Sequence, residues 1–595
     1  MFRSQRISIP FLLLLTSATL ALVAAPGCDA SAVTGPALSI NAEADQHAIS
    51  PLIYGMNFAD AGLAQDVRLP VDRWGGNSTT RYNWQNDMSN HASDWFFENI
   101  PSDNPDPSHL PDGSAADRFV DQNRDTGTET LMTIPLIGWT PAARKDNHPY
   151  DCGFKISKYG TQQATDAVYD PDCGNGVRTN GTPITGNDPI DTSVAIGPTF
   201  VQDWVRHLIE RYGTAAQGGV KFYNLDNEPG LWNETHRDVH PARPTYDELT
   251  DLGKQYAAAV KEIDPGALTL GPVQDGWTRY FYSSYGTYPD VAAQQDRAAH
   301  DDKPFVEWYL QQMAAYENAN HTRLLDYFDL HYYPQAVNDK GTPDQNDDEP
   351  VSLAPAGNAD TQALRLRSTR ALWDPSYVDE SWIPSTGEAT AVNGVGVDGA
   401  VQLIPRMRDW VAKNYPGTKL AISEYNWGAL DSMNGALAQA DLLGIFGREG
   451  LDLATLWEPP APTDPGAFAF RMYRNYDGQG AAFGDTSVRA SSADQGQLAV
   501  YAAQRSGDGA LTLLIINKSA ANLTSQISLA GFTSSGPAQV YSYSAANAQQ
   551  IVKQADQSVD SGFSATFPAA SITLMVLPKL SVPPMPRVVL PFVRR

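Results

Sequence analysis

Cysteine is scarce in this chain, with 3 in 595 residues. One of them, Cys28, stands at the end of an N-terminal leader, which leaves Cys152 and Cys173 as a pair. Two cysteines without a histidine cluster make a poor zinc site. In an oxidising compartment they would bond and close a loop of about 22 residues, worth roughly 3 kcal/mol in the chain-entropy view. Positive charge is also short: 42 Lys and Arg face 68 Asp and Glu, a net charge of −26. That balance argues against nucleic acid and anionic membrane surfaces as partners, since phosphates would be repelled. A neutral glycan would not be. The apolar run at residues 11–25 is too short for a stable membrane span, but it suits a secretory leader behind Arg3 and Arg6. Cys28 follows the small residues Ala25 and Gly27 and offers a lipid-anchor site, although Pro26 fits that cleavage pattern poorly. A compact Asp-rich calcium loop is missing as well.

What the chain does have is a rhythm. Apolar runs recur at residues 52–57, 68–74, 131–138, 220–227, 268–273, 327–333, 420–424 and 453–458. Each ends in polar or aromatic residues. Near-continuous apolar strands suit a parallel sheet covered by helices. Helical stripes fall between several of them, at 200–212, 246–263, 305–316, 401–415 and 436–446. This alternation predicts a (β/α)8 TIM barrel over residues 51–480. Long polar stretches at 87–125, 147–197 and 338–355 read as loops that shape a cleft. Beyond residue 481 the texture changes to short alternating segments without convincing helices, which predicts a C-terminal β-sandwich over 481–580. A strand near 37–41, within an N-terminal segment 37–50, is expected to join that sandwich. Residues 1–27 are assigned as the leader and 581–595 as a flexible tail.

In a barrel of this kind, chemistry belongs at the C-terminal ends of the strands. The run Lys221-Phe222-Tyr223-Asn224-Leu225-Asp226-Asn227-Glu228-Pro229-Gly230 strands a carboxylate at such an end. A buried carboxylate there is costly unless it is used. Glu424, closing Leu420-Ala421-Ile422-Ser423-Glu424, is the best partner for a two-carboxylate glycosidase; Glu458 is the competitor. Arg73 at the end of the second strand would favour the charged form of Glu424, and Tyr333 would hydrogen-bond it. Asn227 offers an amide to a sugar hydroxyl. Trp74, Trp84, Trp232, Trp427 and Trp457 follow or lie at strand ends, where indole faces could stack on pyranose rings or fill the core.

Three stretches carry a resemblance: residues 73–84 (RWGGNSTTRYNW), residues 223–241 (YNLDNEPGLWNETHRDVHP) and residues 422–425 (ISEY). The chain resembles glycoside hydrolase family 44, the endoglucanases and xyloglucanases, from about residue 37 to residue 580. The resemblance implies a retaining enzyme cutting β-1,4-linked glucans, with Glu228 as acid/base and Glu424 as nucleophile. The resemblance leaves room for a structural calcium ion; a monomer that requires no cofactor is expected. The expectation is therefore an exported endo-β-1,4-glucanase; a barrel enzyme for xylan or mannan is the alternative.

Overall fold

A computed structural model of the protein describes residues 32–286, 290–339 and 348–580. The expected leader 1–27, Cys28 and the tail 581–595 lie outside the described residues. No helix among the described residues is long and apolar enough to cross a membrane.

Eight parallel strands close into a barrel. In order they are Gly55–Asn57, Val71–Trp74, Glu129–Ile134, Phe222–Leu225, Leu268–Gln274, Tyr327–Tyr332, Lys419–Tyr425 and Leu453–Leu456. A helix follows each one, running from Ala61–Asp66 after the first to Pro465–Arg474 after the eighth. The helix Tyr246–Ile263 shows how local sequence sets these elements. Thr245 caps it by accepting from the Glu248 backbone amide, Asp247 and Glu248 sit in its first turn, and Leu249, Tyr256 and Val260 fall on one buried stripe.

Inside the barrel the side chains alternate with the pleat. Val71, Leu131, Phe222, Leu270, Tyr327, Ala421 and Leu453 form one apolar layer. Two residues further along, the inward positions turn polar: Arg73, Asn224, Asp329, Ser423 and Thr455 are all buried. The apolar layer plugs the barrel. The polar layer above it is the floor on which a site can be built.

The stretch expected as a loop at 87–125 is more ordered than that. It contributes strands Met88–Asn90 and Glu98–Pro101 to a small four-stranded antiparallel sheet, together with Tyr82–Asn83 and Asp151–Cys152. It also contains the helix Ala115–Thr126, capped by Ser114 and ended by Gly127 in the left-handed conformation. Cys152 and Cys173 are disulfide-bonded.

The C-terminal region folds as two packed β-faces joined through the bent strand Thr486–Ser492, which pairs with Leu498–Gln504 at one end and Leu38–Asn41 at the other. The strands Val33–Thr34 and Leu38–Asn41 both pair in parallel with Leu523–Ala530, the exceptions in an otherwise antiparallel arrangement. A core of Ile40, Val500, Leu513, Ile527, Phe563 and Met575 lies between the faces. The outer face of the central strands is buried too, because Tyr501, Leu514 and Leu574 join the barrel's own core. Lys518 and the Tyr501 hydroxyl both reach Asp441 on the helix Met433–Glu449, each at 2.7 Å. The sandwich is thus part of the barrel's packing.

Candidate active site

The upper polar layer converges on two carboxylates. Glu228 follows the fourth strand and Glu424 ends the seventh. One oxygen of each, together with a ring nitrogen of His331, all lie within 4.8 Å of one another.

The backbone is shaped to achieve this. Asp226 and Glu228 both have left-handed φ, at 74° and 49°, which non-glycine residues seldom adopt. The strain is held by bonds: Glu228 N–H donates to the Val273 carbonyl at 3.0 Å, and the Asp226 carboxylate accepts from Thr80 Oγ1 and from the backbone amides of Leu136 and Asn227. Such strain clusters where structure around it overdetermines a functional conformation. Register shifts occur between Asp329 and His331 and between Ile422 and Tyr425, so the sixth and seventh strands are bulged next to the site. Bulges re-aim side chains.

Arg73 is fully buried beneath the pair and satisfies four acceptors. Its Nε donates to Asn224 Oδ1 (2.9 Å), Nη1 to Asn57 Oδ1 (3.0 Å) and Glu424 Oε2 (2.9 Å), and Nη2 to Asn227 Oδ1 (2.8 Å). Asn224 passes the network on to Asp329 at 2.6 Å. Tyr333 donates its hydroxyl to the other oxygen of Glu424 at 2.7 Å. Glu424 is therefore gripped from two sides by charge-assisted bonds. Among the described residues, Glu228 has no Lys or Arg in contact. Burial pushes its carboxyl up to about 7, against the opposing pull of Arg73 and Arg279.

His331 was not foreseen as a site residue, although it opens the His331-Tyr332-Tyr333 run that closes the sixth strand. Its Nδ1 is 2.9 Å from Glu228 Oε1 and its Nε2 is 3.2 Å from Ser423 Oγ. Burial pushes the imidazole down to about 4, so near neutral pH it is uncharged. A neutral ring can donate from Nδ1 to an ionised Glu228, or accept there from a protonated one while Nε2–H donates to Ser423 Oγ. It can accommodate both states of Glu228.

The expected binding residues divide. Arg73, Asn227 and Tyr333 are in the site. Trp74 and Trp457 are half-buried at the mouth, where Phe58, 43% exposed and also unforeseen, packs on both at 5.3 and 6.5 Å. Trp84, Trp232 and Trp427 depart from expectation: at 6%, 0% and 2% exposure they cannot present a face to a sugar. Trp84 donates to the Phe200 carbonyl, Trp232 packs against His240, and Trp427 donates to Ser368 Oγ at 3.0 Å beside the Tyr332 ring. Their apolar area is worth more in the core than on the rim. Glu458 is exposed outside the cluster.

Two three-residue groups bring metal-ligating atoms together. In Glu228–His331–Glu424, the Arg73 guanidinium already supplies the positive charge. In Asp112–Asp117–His207, Arg211 does so, reaching both aspartates at 3.3 and 3.2 Å. A different acidic cluster surrounds Glu98. Glu98 is fully buried, and among the described residues neither of its oxygens has a hydrogen-bond partner. Burial, with Asp166 and Asp170 nearby, pushes its carboxyl up to about 9. Asp166 is itself buried and fixed by the amides of Val168, Tyr169 and Asp170. Orphaned buried carboxylate oxygens are what a calcium ion would satisfy.

Comparison with known proteins places this geometry. The family description of glycoside hydrolase family 44 matches residues 88–336. Endoglucanase A of Paenibacillus lautus is 32% identical over 509 residues, 84% of this chain. This chain spans 66% of that relative's length, just under two thirds. The crystal structure of CelM2, a bifunctional glucanase-xylanase from a metagenome library, is 40% identical with a TM-score of 0.83 and covers 92% of this chain and 100% of its own. A Paenibacillus polymyxa xyloglucanase from glycoside hydrolase family 44 is 30% identical with a TM-score of 0.73, again over 92% of this chain and 100% of its own. A relative that similar, aligned over its whole length and sharing both barrel and sandwich, settles the kinship: this chain belongs to glycoside hydrolase family 44.

Proposed function

We propose that the protein is a secreted, retaining endo-β-1,4-glucanase that hydrolyses internal bonds of cellulose-type glucans and xyloglucan. The observation that carries this reading is the gap between the two carboxylates. Retaining glycosidases hold theirs about 5–5.5 Å apart, whereas inverting ones leave roughly 6.5–9.5 Å for a water. Oxygens of Glu228 and Glu424 come within 4.8 Å, which favours retention.

In this mechanism Glu424 attacks the anomeric carbon while Glu228 gives its proton to the departing glycosidic oxygen. The carbon–oxygen bond breaks and a glycosyl–Glu424 ester forms. Water then attacks the same carbon, Glu228 takes its proton, and Glu424 leaves as a carboxylate. The raised Glu228 carboxyl suits an acid that must become a base near neutral pH. Asn227, held by Arg73 and the Gly76 amide, is positioned to meet a sugar hydroxyl. Phe58, Trp74 and Trp457 form the aromatic rim for the sugars that become bonded to Glu424. Both carboxylates come from one polypeptide, which supports a monomer. Secretion rests on the leader read from residues 1–27.

The substrate class draws on the relatives, named for endoglucanase, xyloglucanase and glucanase-xylanase activities. The last name also includes xylan, and a relative named beta-mannanase/endoglucanase A includes mannan, so the second reading is a barrel enzyme for xylan or mannan. Initial rates on carboxymethylcellulose, xyloglucan, xylan and mannan, read by reducing ends and by viscosity, decide between them. An early fall in viscosity on the two glucans is expected. Activity on xylan or mannan alone would overturn the proposed specificity.

The same reading includes a structural calcium ion at Glu98, Asp166 and Asp170. The disulfide supports it by tying the Asp-bearing loop to Cys152, which pairs with Glu98 across two strands. The ion would neutralise a buried acidic cluster and take no part in the chemistry. Metal analysis and thermal melts with a chelator test this. The parent should carry calcium and lose stability on chelation, and Glu98→Gln should lose both the ion and the chelator response. If Glu98→Gln melts at or above the parent, and the parent ignores the chelator, Glu98 is merely a buried neutral acid.

A further inference from the structure

A cavity of about 510 Å³ lies at the seam between the barrel and the sandwich. Asp66, Arg471, Tyr476, Tyr541, Gln550 and Ile551 are among the residues that line it. We infer that this cavity is a second glucan-binding site, separate from the catalytic cleft, which tethers the enzyme to its polymer. The inference rests on the glucan reading above and adds a site that the mechanism does not use.

Its place in the fold separates it from the chemistry. Barrel strands end at the catalytic mouth, and the helices run back from it. Asp66 is the last residue of the helix Ala61–Asp66, and Asn475 caps the C-terminal end of Pro465–Arg474. Both therefore lie toward the end of the barrel remote from Glu228 and Glu424. The facing wall is the sandwich hairpin of Gln539–Ser544 and Asn547–Lys553, whose second strand is the edge of its sheet. A sugar held here is not one that Glu424 attacks.

The walls are preformed. Arg471 Nε donates to Asp66 at 2.6 Å and its Nη2 to the Pro462 carbonyl at 2.7 Å, while the guanidinium lies 4.3 Å over the Phe468 ring. Phe468 stacks in turn on Tyr543 of the hairpin at 4.6 Å. The Asn475 side chain donates to the Asp66 carbonyl and accepts from the Gly480 amide, both at 2.7 Å. Asp477 accepts from the backbone amides of Gln479 and Ala481 at 2.9 and 3.0 Å. Side chains already ordered lose little entropy when a ligand arrives.

The same bonds define the ligand. Arg471 is paired with Asp66, and Asp477 is turned to backbone, so these charges are spent within the wall. The cavity adds an apolar surface from Tyr541 and Ile551, beside the amides of Gln479 and Gln550, both exposed. Tyr541 is braced by Tyr476 at 4.7 Å and by the Lys553 ammonium 5.9 Å over its ring. An aromatic side chain next to amide donors and acceptors suits a pyranose, which has apolar faces and a rim of hydroxyls. The volume lies within the roughly 300–1,000 Å³ of small-molecule sites, enough for a short stretch of glucan.

The test uses the full chain with Tyr541→Ala and, in case that variant misfolds, the surface pair Gln479→Ala/Gln550→Ala. Cellohexaose is titrated calorimetrically into Glu424→Ala enzyme, which keeps the sugar intact. Two sites are expected, and either change added to Glu424→Ala should leave one. In otherwise wild-type enzyme, each change should raise KM on hydroxyethylcellulose about three- to tenfold, because a tethered polymer is presented at a higher effective concentration. The rate on a nitrophenyl β-cellotrioside, too short to bridge the two sites, should stay within about twofold. A single site in Glu424→Ala enzyme, or an equal loss on polymer and aryl substrate, would overturn the inference. If the parent cleaves neither substrate, the glucanase reading falls instead, and the titration still decides whether the cavity binds glucan.

Discussion

Replacing Arg73 with methionine is the perturbation most directly sized by the structure. The guanidinium is buried and donates to Glu424 and to three asparagine oxygens. A hydrogen bond to a charged group contributes about 1.5–3 kcal/mol. If Glu424 loses that much of its orientation and charge support in the transition state, kcat should fall roughly 10- to 150-fold. The same change leaves the carboxylate and three amide oxygens short of a donor, at a cost on the order of 3–5 kcal/mol of folding stability, as for breaking a buried pair. Arg73→Lys keeps the charge but not the planar fork, so it should regain stability more than rate. Steady-state kinetics on an aryl cellotrioside and urea denaturation of the same preparations separate the two effects. A folded Arg73→Met enzyme with kcat within about threefold of the parent would refute the assignment of Glu424, because a fully buried cation bonded to it would then be doing nothing for it.

The pH profile is set by Glu228, whose proton is needed in the first step. Because burial raises its carboxyl to about 7, kcat/KM should decline as pH rises through about 7; a flat profile up to pH 9 would mean that another group is the acid. The tryptophans should sort by burial. Trp427→Ala is expected to cost about 3–5 kcal/mol of stability in thermal or chemical melts, whereas Trp457→Ala should melt within about 1 kcal/mol of the parent and show a raised KM on glucans.

The barrel was legible because each of its strands is a run of apolar residues ending at a polar one, a pattern imposed by burial on both faces. The period of the helix 246–263 was equally plain. Ala115–Thr126 was missed because its sequence is rich in Asp, Arg and Asn and looks like loop; the signals were its caps, Ser114 and Gly127. Thr486–Ser492 carries one large apolar residue, Val488, and becomes a strand through its partners on both sides. In the site, Glu228 and Glu424 could be found since a carboxylate at a strand end has no cheap structural excuse. The tryptophans could not be sorted, because indole suits a core and a sugar equally and only three-dimensional packing decides. Phe58 was hidden for a related reason: its role depends on a left-handed φ of 52° that turns it to the rim, and nothing in the residue itself announces that.

The central claim is that Glu424 forms a covalent bond to the sugar while Glu228 moves the proton. Chemical rescue tests it most directly. Glu424→Ala should be inactive on an aryl cellotrioside, and sodium azide should restore turnover with an α-configured glycosyl azide as product, azide having taken the vacated face. A Glu424→Ala enzyme that hydrolyses the substrate at the parent's rate, or whose azide product keeps the β configuration, would contradict the account.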